Sequence, residues 1–356
     1  MPKKPSSKPA AKAAGKPSPR KATKPPTFIV TGAAGFIGSN LAAELARRYP
    51  GASLHVVDDH RSGSFANLVE AFERRSLAPF EGAYIARSIA DLDWHGMVED
   101  LRPAAVFHLA AITDTTVMDE NEMIRVNCEH AMPIFGACAE LRVPLVYASS
   151  AATYGSPPQG NTREPFPESA SGVPNNVYGF SKWLLEGVHR SMASARGLRA
   201  VGLRYFNVFG PGESRKGKMA SMAYQLAQQM LAGKNPRLFA DGSQSRDQVS
   251  VHDVVDCTIA AAGLDRDITP GVYNLGSGVA TPFSLVASAV REGLGFSEAD
   301  RPIEYFDMPP AIRAFYQDFT QADMAAARSG LRWAPSHSPA DALRDYGRWL
   351  AIRSAR

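Results

Sequence analysis

The hydrophobic positions of the chain fall into short, nearly continuous apolar runs separated by amphipathic stretches, a rhythm that predicts strands alternating with helices. It predicts strands at 27–31, 53–58, 83–88, 104–110, 144–149 and 199–206, and helices at 37–48, 121–141 and 177–196. The strand runs are rich in Val, Ile and Ala on both faces, as parallel strands covered by helices on two sides require. The predicted fold class is α/β with a doubly wound parallel sheet over residues 27–206. Beyond Phe206 the pattern loosens into Gly-, Lys- and Ser-rich loops, with helices near 219–232, 252–263, 284–294 and 339–352. Residues 207–356 are therefore expected to form mainly a smaller, discontinuous C-terminal domain, with the run 272–276 returning to the main sheet.

The first 26 residues break this rhythm. They hold seven lysines and Arg20 with no acid, whereas the whole chain has a net charge of only +4, so the remainder is net negative. Lys, Pro, Ala and Ser bury too little apolar surface to offset ordering entropy, and residues 1–26 are expected to be a disordered basic tail. The tail lacks the apolar run of a secretory signal. A weak contact with nucleic acid is the most it is expected to make. Over all 356 positions, 45% hydrophobic and 21% charged residues suit a water-soluble chain with a sizeable core. No apolar stretch approaches the ~20 residues of a membrane span, so no membrane partner is expected. Cys128, Cys138 and Cys257 form no Cys-x-x-Cys pair. That argues against a metal site or disulfide framework and fits a reducing cytoplasm.

Candidate chemistry begins where the first strand ends, in Gly32-Ala-Ala-Gly35-Phe36-Ile37-Gly38. Glycines between a strand and a helix let backbone N–H groups approach a pyrophosphate, and the helix N-terminus adds partial positive charge. The strand 53–58 ends in Asp58, 20 residues after Gly38, where a carboxylate can accept from an adenosine ribose hydroxyl. Strand, glycine turn, helix and acid together indicate a Rossmann-type dinucleotide site. Asp59 and Arg61 follow; Asp58 alone favours NAD, whereas Arg61 could clamp the 2′-phosphate of NADP. Ser150 stands at the carboxyl end of the strand 144–149. Tyr178 and Lys182, four residues apart, share one helix face, where an ammonium favours the phenolate of a group that titrates near pH ~10.

Gly32, Gly35, Gly38, Ser150, Tyr178 and Lys182 resemble the motifs of the extended short-chain dehydrogenase/reductases that act on nucleotide sugars, over residues 27–351. The resemblance implies Leu109, Ala110, Ala111 and Asn127 beside the cofactor, Lys182 on the nicotinamide ribose, and Ser150 polarising the reacting oxygen. Two narrower segments, Lys216-Gly-Lys218-Met-Ala-Ser221 and Tyr316-Gln-Asp-Phe-Thr-Gln-Ala-Asp323, are similar to the ADP-glycero-manno-heptose 6-epimerases. That likeness implies transient oxidation of C6 with NADP, a homo-oligomer, and Lys216 as a second proton carrier beside Tyr178, because inversion uses two opposite faces. It also implies an ADP-sugar site lined by Asn207, Phe239, Ser243, Arg246 and Tyr316. Lys218 and Gln225 stand where that family has serine and histidine. Read without the family, Lys216 is a solvated loop lysine and His108 a packed neutral histidine, while Arg246 is the best physical candidate for a pyrophosphate clamp, with an ion pair to an acid such as Asp247 as its alternative.

A UDP-sugar 4-epimerase shares every cofactor element but has no need of Lys216. A 4,6-dehydratase would carry Asp-Glu where this chain has Ala151-Ala152. A non-catalytic NAD(P)-sensing protein would not require Ser150, Tyr178 and Lys182 together.

Overall fold

The computed structural model describes residues 25–117, 119–155, 163–309 and 317–354. Most of the expected basic tail, residues 1–24, therefore lies outside the described residues, as does Tyr316. The first half runs β1 (Thr27–Thr31), α1 (Phe36–Arg48), β2 (Ser53–Val57), α2 (Phe65–Arg74), β3 (Ala83–Ile85), α3 (Trp94–Leu101), β4 (Ala105–His108), α4 (Glu120–Asn127), α5 (Met132–Leu141), β5 (Leu145–Ser150), α6 (Val177–Arg196) and β6 (Ala200–Tyr205). The second half begins with β7 (Asn207–Phe209), α7 (Met222–Leu231), β8 (Arg237–Phe239), β9 (Ser245–Ser250) and α8 (Val251–Ala260). It continues with β10 (Gly271–Leu275), β11 (Ala280–Pro282), α9 (Phe283–Gly293), β12 (Glu304–Phe306) and two helices, Ala325–Gly330 and Pro339–Ser354.

Seven strands form one parallel sheet in the order β10-β6-β5-β4-β1-β2-β3. β1 pairs with β2 on one side and with β4 on the other, so the chain reverses direction of travel between β1 and β4. This is a doubly wound Rossmann-type sheet, and its switch point opens a crevice at the strands' carboxyl ends. β10 joins the far edge beside β6, in register from Gly271↔Val201 to Leu275↔Tyr205. Apolar clusters cover both faces: Leu41, Leu45, Leu68 and Val254 on one, Trp94, Ile134, Phe135 and Leu185 on the other. Burying each large side chain contributes about 1.5–3 kcal/mol before entropy is subtracted.

Three departures from the sequence expectation have local causes. The helix expected at 121–141 is two helices, α4 and α5, joined by a short 3₁₀ turn at Glu129–Ala131. Pro133 enters α5 in its first turn, where its missing N–H is harmless, but it could not continue a helix from α4. The strand expected at 83–88 stops at Ile85, and Ser88 caps a 3₁₀ turn instead. Helices α2 and α3 stand where none is expected. In α2, Ser64 caps the N-terminus by accepting from Ala66 N, and Asn67, Leu68, Ala71 and Phe72 form one buried face.

Glu44 joins three helices on one flank. It accepts from Arg47 and Arg48 of its own helix and from Arg75 Nε at 3.1 Å, while Arg48 also pairs with Asp256 of α8. Burial would raise the Glu44 pKa, but the hydrogen bonds from the three arginines outweigh it and hold the carboxyl at about 2. A carboxyl depressed on folding contributes stability that is present above its unfolded value and lost as pH falls toward its folded one. Glu44→Gln should therefore lower the melting temperature at pH 7, and the deficit should shrink progressively between about pH 4.5 and pH 2. Thermal melts of both proteins across that range measure it; a deficit that does not change with pH would contradict the ionic role.

Candidate active site

The crevice at the switch point is a cleft of about 640 Å³. Gly32, Gly35, Phe36, Ile37, Gly38, Asp58, Asp59, Arg61, Leu109, Ala110, Ala111, Ser150, Tyr178, Lys182 and Lys216 all line it. A Cβ at Gly32 would lie 2.7 Å from Ala110 N, and one at Gly38 would lie 2.1 Å from Gly32 O. Those two glycines let the turn close on itself. Gly35 differs: its φ is −77°, and a Cβ there would come no nearer to the protein than 3.2 Å, at Gly32 O. Its missing side chain clears space at the start of α1, whose first turn has no side-chain cap and no acid. Free N–H groups behind an open approach fit a pyrophosphate.

Asp58 Oδ2 accepts from Ala34 N at 2.8 Å and Oδ1 from His60 N at 2.9 Å, so it knits the glycine turn to the loop after β2. Burial pushes its pKa up, against those two backbone bonds. A carboxylate keeps further lone pairs for a ribose hydroxyl in the cleft. Arg61, in contrast, is engaged within the protein, by Glu122 of α4 and by Asp59 at 3.7 Å. Thr31 Oγ1 bonds His108 Nδ1 at 2.8 Å and accepts from Leu109 and Ala110 N–H groups, fixing the wall opposite. His108 is buried, and burial drives its pKa down to about 3, so it stays neutral.

Tyr178 is placed by the start of α6, where Asn176 caps the helix by accepting from Gly179 N at 2.8 Å. Lys182, one turn on, donates from Nζ to Ala148 O at 3.0 Å and lies 6.0 Å from the Tyr178 ring centre. The phenol pKa, expected to be lowered by Lys182, is instead raised: burial dominates and a Ser150 hydrogen bond offsets only part of it. Burial also lowers the Lys182 pKa to about 8. Behind these groups, Glu186 and Arg204 form a buried ion pair with two bonds of 2.8 Å, and Glu186 accepts from Ser149 Oγ at 2.6 Å.

Lys216 arrives from the other wall, on a 3₁₀ segment, Ser214–Met219, that follows β7. Its Nζ lies 5.5 Å from the centre of the Phe36 ring, beside the glycine turn. Burial lowers its pKa, with Glu213 acting in the opposite sense. Glu213 is itself buried and accepts from Gly210 N, Ser221 N and Ser221 Oγ, so it staples both ends of the loop.

Other expected contacts lie elsewhere. Asn127 does not line the cleft; its amide exchanges hydrogen bonds with the Ile112 backbone and donates to Ser181 Oγ, bracing α6. Asn207, Lys218, Gln225, Phe239, Ser243 and Arg246 also lie outside it. Val208 faces the cleft, so strand alternation turns Asn207 away. Lys218 is exposed, and Gln225 donates to Lys218 O and Ala220 O. Phe239 packs at a tilt against Phe306, Ser243 sits in a turn closed on Asp241, and Arg246 donates to Ser245 O beside the Phe283 ring. Cleft residues not picked out from the sequence include Glu122, on the expected helix 121–141, and Asn67, Arg215 and Arg87, on a helix and turns that patterning did not place.

Among the described residues no helix is long and apolar enough to cross a membrane. The structure is similar to ADP-L-glycero-D-manno-heptose-6-epimerase of Helicobacter pylori, at 31% identity over 92% of this chain and 96% of that one, TM-score 0.76. It is also similar to UDP-N-acetylglucosamine 4-epimerase of Methanobrevibacter ruminantium, at 26% identity over 93% and 100%, TM-score 0.79. UDP-glucose 4-epimerase of Thermotoga maritima matches at 26% identity over 92% and 99%, TM-score 0.77. The model of the NAD dependent epimerase/dehydratase family matches residues 28–276, and together with the glycine turn, Asp58 and the Tyr178/Lys182 pair this places the chain in that family.

Proposed function

We propose that the chain is an ADP-glycero-manno-heptose 6-epimerase, on one observation above the others: Lys216 reaches the same cleft as Tyr178, from a separate wall. A single-tyrosine 4-epimerase has no use for that lysine. When bound, the nicotinamide cofactor supplies hydride acceptance and return. Tyr178 takes the hydroxyl proton of one epimer as its C6 is oxidised, with Ser150 bonding the ketone oxygen. After the ketone turns, the Lys216 ammonium gives a proton to the oxygen as C6 is reduced on its opposite face. Tyr178, which starts the cycle as phenolate, then releases the proton it took to water, and Lys216 takes one up from water. Burial that lowers the Lys216 pKa brings its ammonium nearer to a working acid at neutral pH. Residues 207–356 would then supply most of the ADP-sugar contacts by closing on residues 27–206, with Arg246 as the pyrophosphate clamp. The homo-oligomer and cytoplasmic setting belong to the same reading.

For the cofactor, the placement of Arg61 favours NAD over the NADP implied by the resemblance. A 2′-phosphate would have to draw Arg61 away from Glu122 and Asp59 and would meet Asp58 as well.

Tyr178→Phe and Lys216→Met should each lower inversion of ADP-heptose by a factor on the order of 10² to 10⁴ while leaving cofactor binding in place. Steady-state assays of each variant, with cofactor content measured alongside, test it. Full turnover in Lys216→Met would move the assignment to the single-tyrosine 4-epimerases.

The parent protein should bind NAD more tightly than NADP. Glu122→Gln should release Arg61 and strengthen NADP binding by about tenfold, the worth of one charge-assisted hydrogen bond. Titration calorimetry with both cofactors measures this; tighter NADP binding by the parent would restore the NADP reading.

A further inference from the structure

Helix α2 is docked by its N-terminus onto the turn that would hold the cofactor pyrophosphate. Ser64 N and Asn67 Nδ2 both donate to Ala34 O, at 3.0 and 2.8 Å. The contact is close enough that a Cβ at Gly63 would fall 2.7 Å from the Ala34 carbonyl carbon. Asn67 is buried, and the other end of its amide is occupied as well: Oδ1 accepts from Arg215 Nη1 at 2.6 Å. Arg215 also donates to Glu70 Oε1 at 2.8 Å, and the second oxygen of Glu70 takes Arg353 at 2.7 Å. Arg215 immediately precedes Lys216. One amide thus bridges the glycine turn and the loop that carries the second proton carrier, and it cannot shift toward one without loosening the other.

We propose that Asn67 and Arg215 are positioning residues that couple the cofactor-binding turn to the Lys216 loop, so that an occupied turn holds Lys216 in place. The proposal rests on the two-carrier reading above. Glu213 sets the loop's internal shape, since it gathers Gly210 and Ser221 at the two ends, but it does not touch the turn. The Arg215–Asn67 link ties the Lys216 end of the loop to the residues around Ala34, while Asn40 of α1 holds the loop's start, donating to Pro211 O and Phe36 O at 2.9 Å each. Coupling of this kind is reciprocal, so the loop also contributes to holding the cofactor.

The test uses the full chain and its Arg215→Met variant; Arg215 is partly exposed, and its loss does not open the core. Amide hydrogen exchange over 213–221, with and without saturating NAD, reads the coupling directly. In the parent, NAD should slow exchange there by about tenfold, within the usual range of coupling between sites, and in Arg215→Met by less than about twofold. Protection of the turn itself should persist in both. Single-turnover oxidation of each C6 epimer, run separately, reads the chemistry. Arg215→Met should slow by about tenfold only the epimer whose hydroxyl faces Lys216, and Arg215→Lys should recover part of that loss. Undiminished loop protection in Arg215→Met, or equal slowing of both epimers while Lys216→Met still slows one, would overturn the coupling and leave the two-carrier reading intact. Equal rates for both epimers in Lys216→Met would overturn both.

Discussion

The buried ion pair between Glu186 and Arg204 is the interaction on which the catalytic wall depends. Arg204 projects from β6 and Glu186 from α6, and the carboxylate also holds Ser149 at the end of β5. The same guanidinium donates to Tyr154 OH, Glu168 O and Ser171 Oγ, so the loop between β5 and α6 closes on it too. Asn274 of β10 accepts from Tyr154 OH at 2.6 Å and extends the network to the sheet edge. Glu186 lies two turns beyond Tyr178 and one beyond Lys182 on the same helix face. The rotation of α6, and with it the aim of both side chains into the cleft, is set by this pair. Removing one partner would leave a buried charge at a cost of about 3–5 kcal/mol, whereas the pair itself adds little net stability. Its value lies in orientation.

The Lys216 side of the cleft is built differently. Tyr178 stands on a long helix packed across the sheet, whereas Lys216 stands on a short loop given its shape by one buried carboxylate and tied to α2 by one arginine. Under the proposed two-carrier scheme, a rigid first carrier and a tethered second one would suit a ketone that has to turn between two faces. The glycine turn lines the same cleft, tied to the end of β2 through Asp58 and to α2 through Asn67.

The parts legible in the sequence are those whose geometry is local. The glycine spacing, Asp58 at the end of a strand, and Tyr178 and Lys182 one helical turn apart each specify their placement within about twenty residues. Asn127 was placed beside the cofactor by resemblance alone, and its partners Ile112 and Ser181, which come from other elements, take up its amide. Arg61 illustrates the same limit, because nothing nearby in sequence announces Glu122 as its partner. Helix α2 did carry a signal, Ser64 as cap and Leu68, Ala71 and Phe72 at helical spacing. Pro133, in the first turn of α5, was an equally plain sign that a helix over 121–141 is interrupted. Phe239, Ser243 and Arg246 rest on segments whose position outside the cleft follows from long-range pairing rather than from any local rule.

The central claim is that one cleft removes a hydride from C6 and returns it to the opposite face. ADP-heptose carrying deuterium at C6, turned over in ordinary water and followed by mass spectrometry and NMR, tests this most directly. The account predicts that both epimers keep the label at C6 after many turnovers, because the hydride never exchanges with solvent. Loss of deuterium to water as inversion proceeds would contradict it, and so would an absence of inversion at C6.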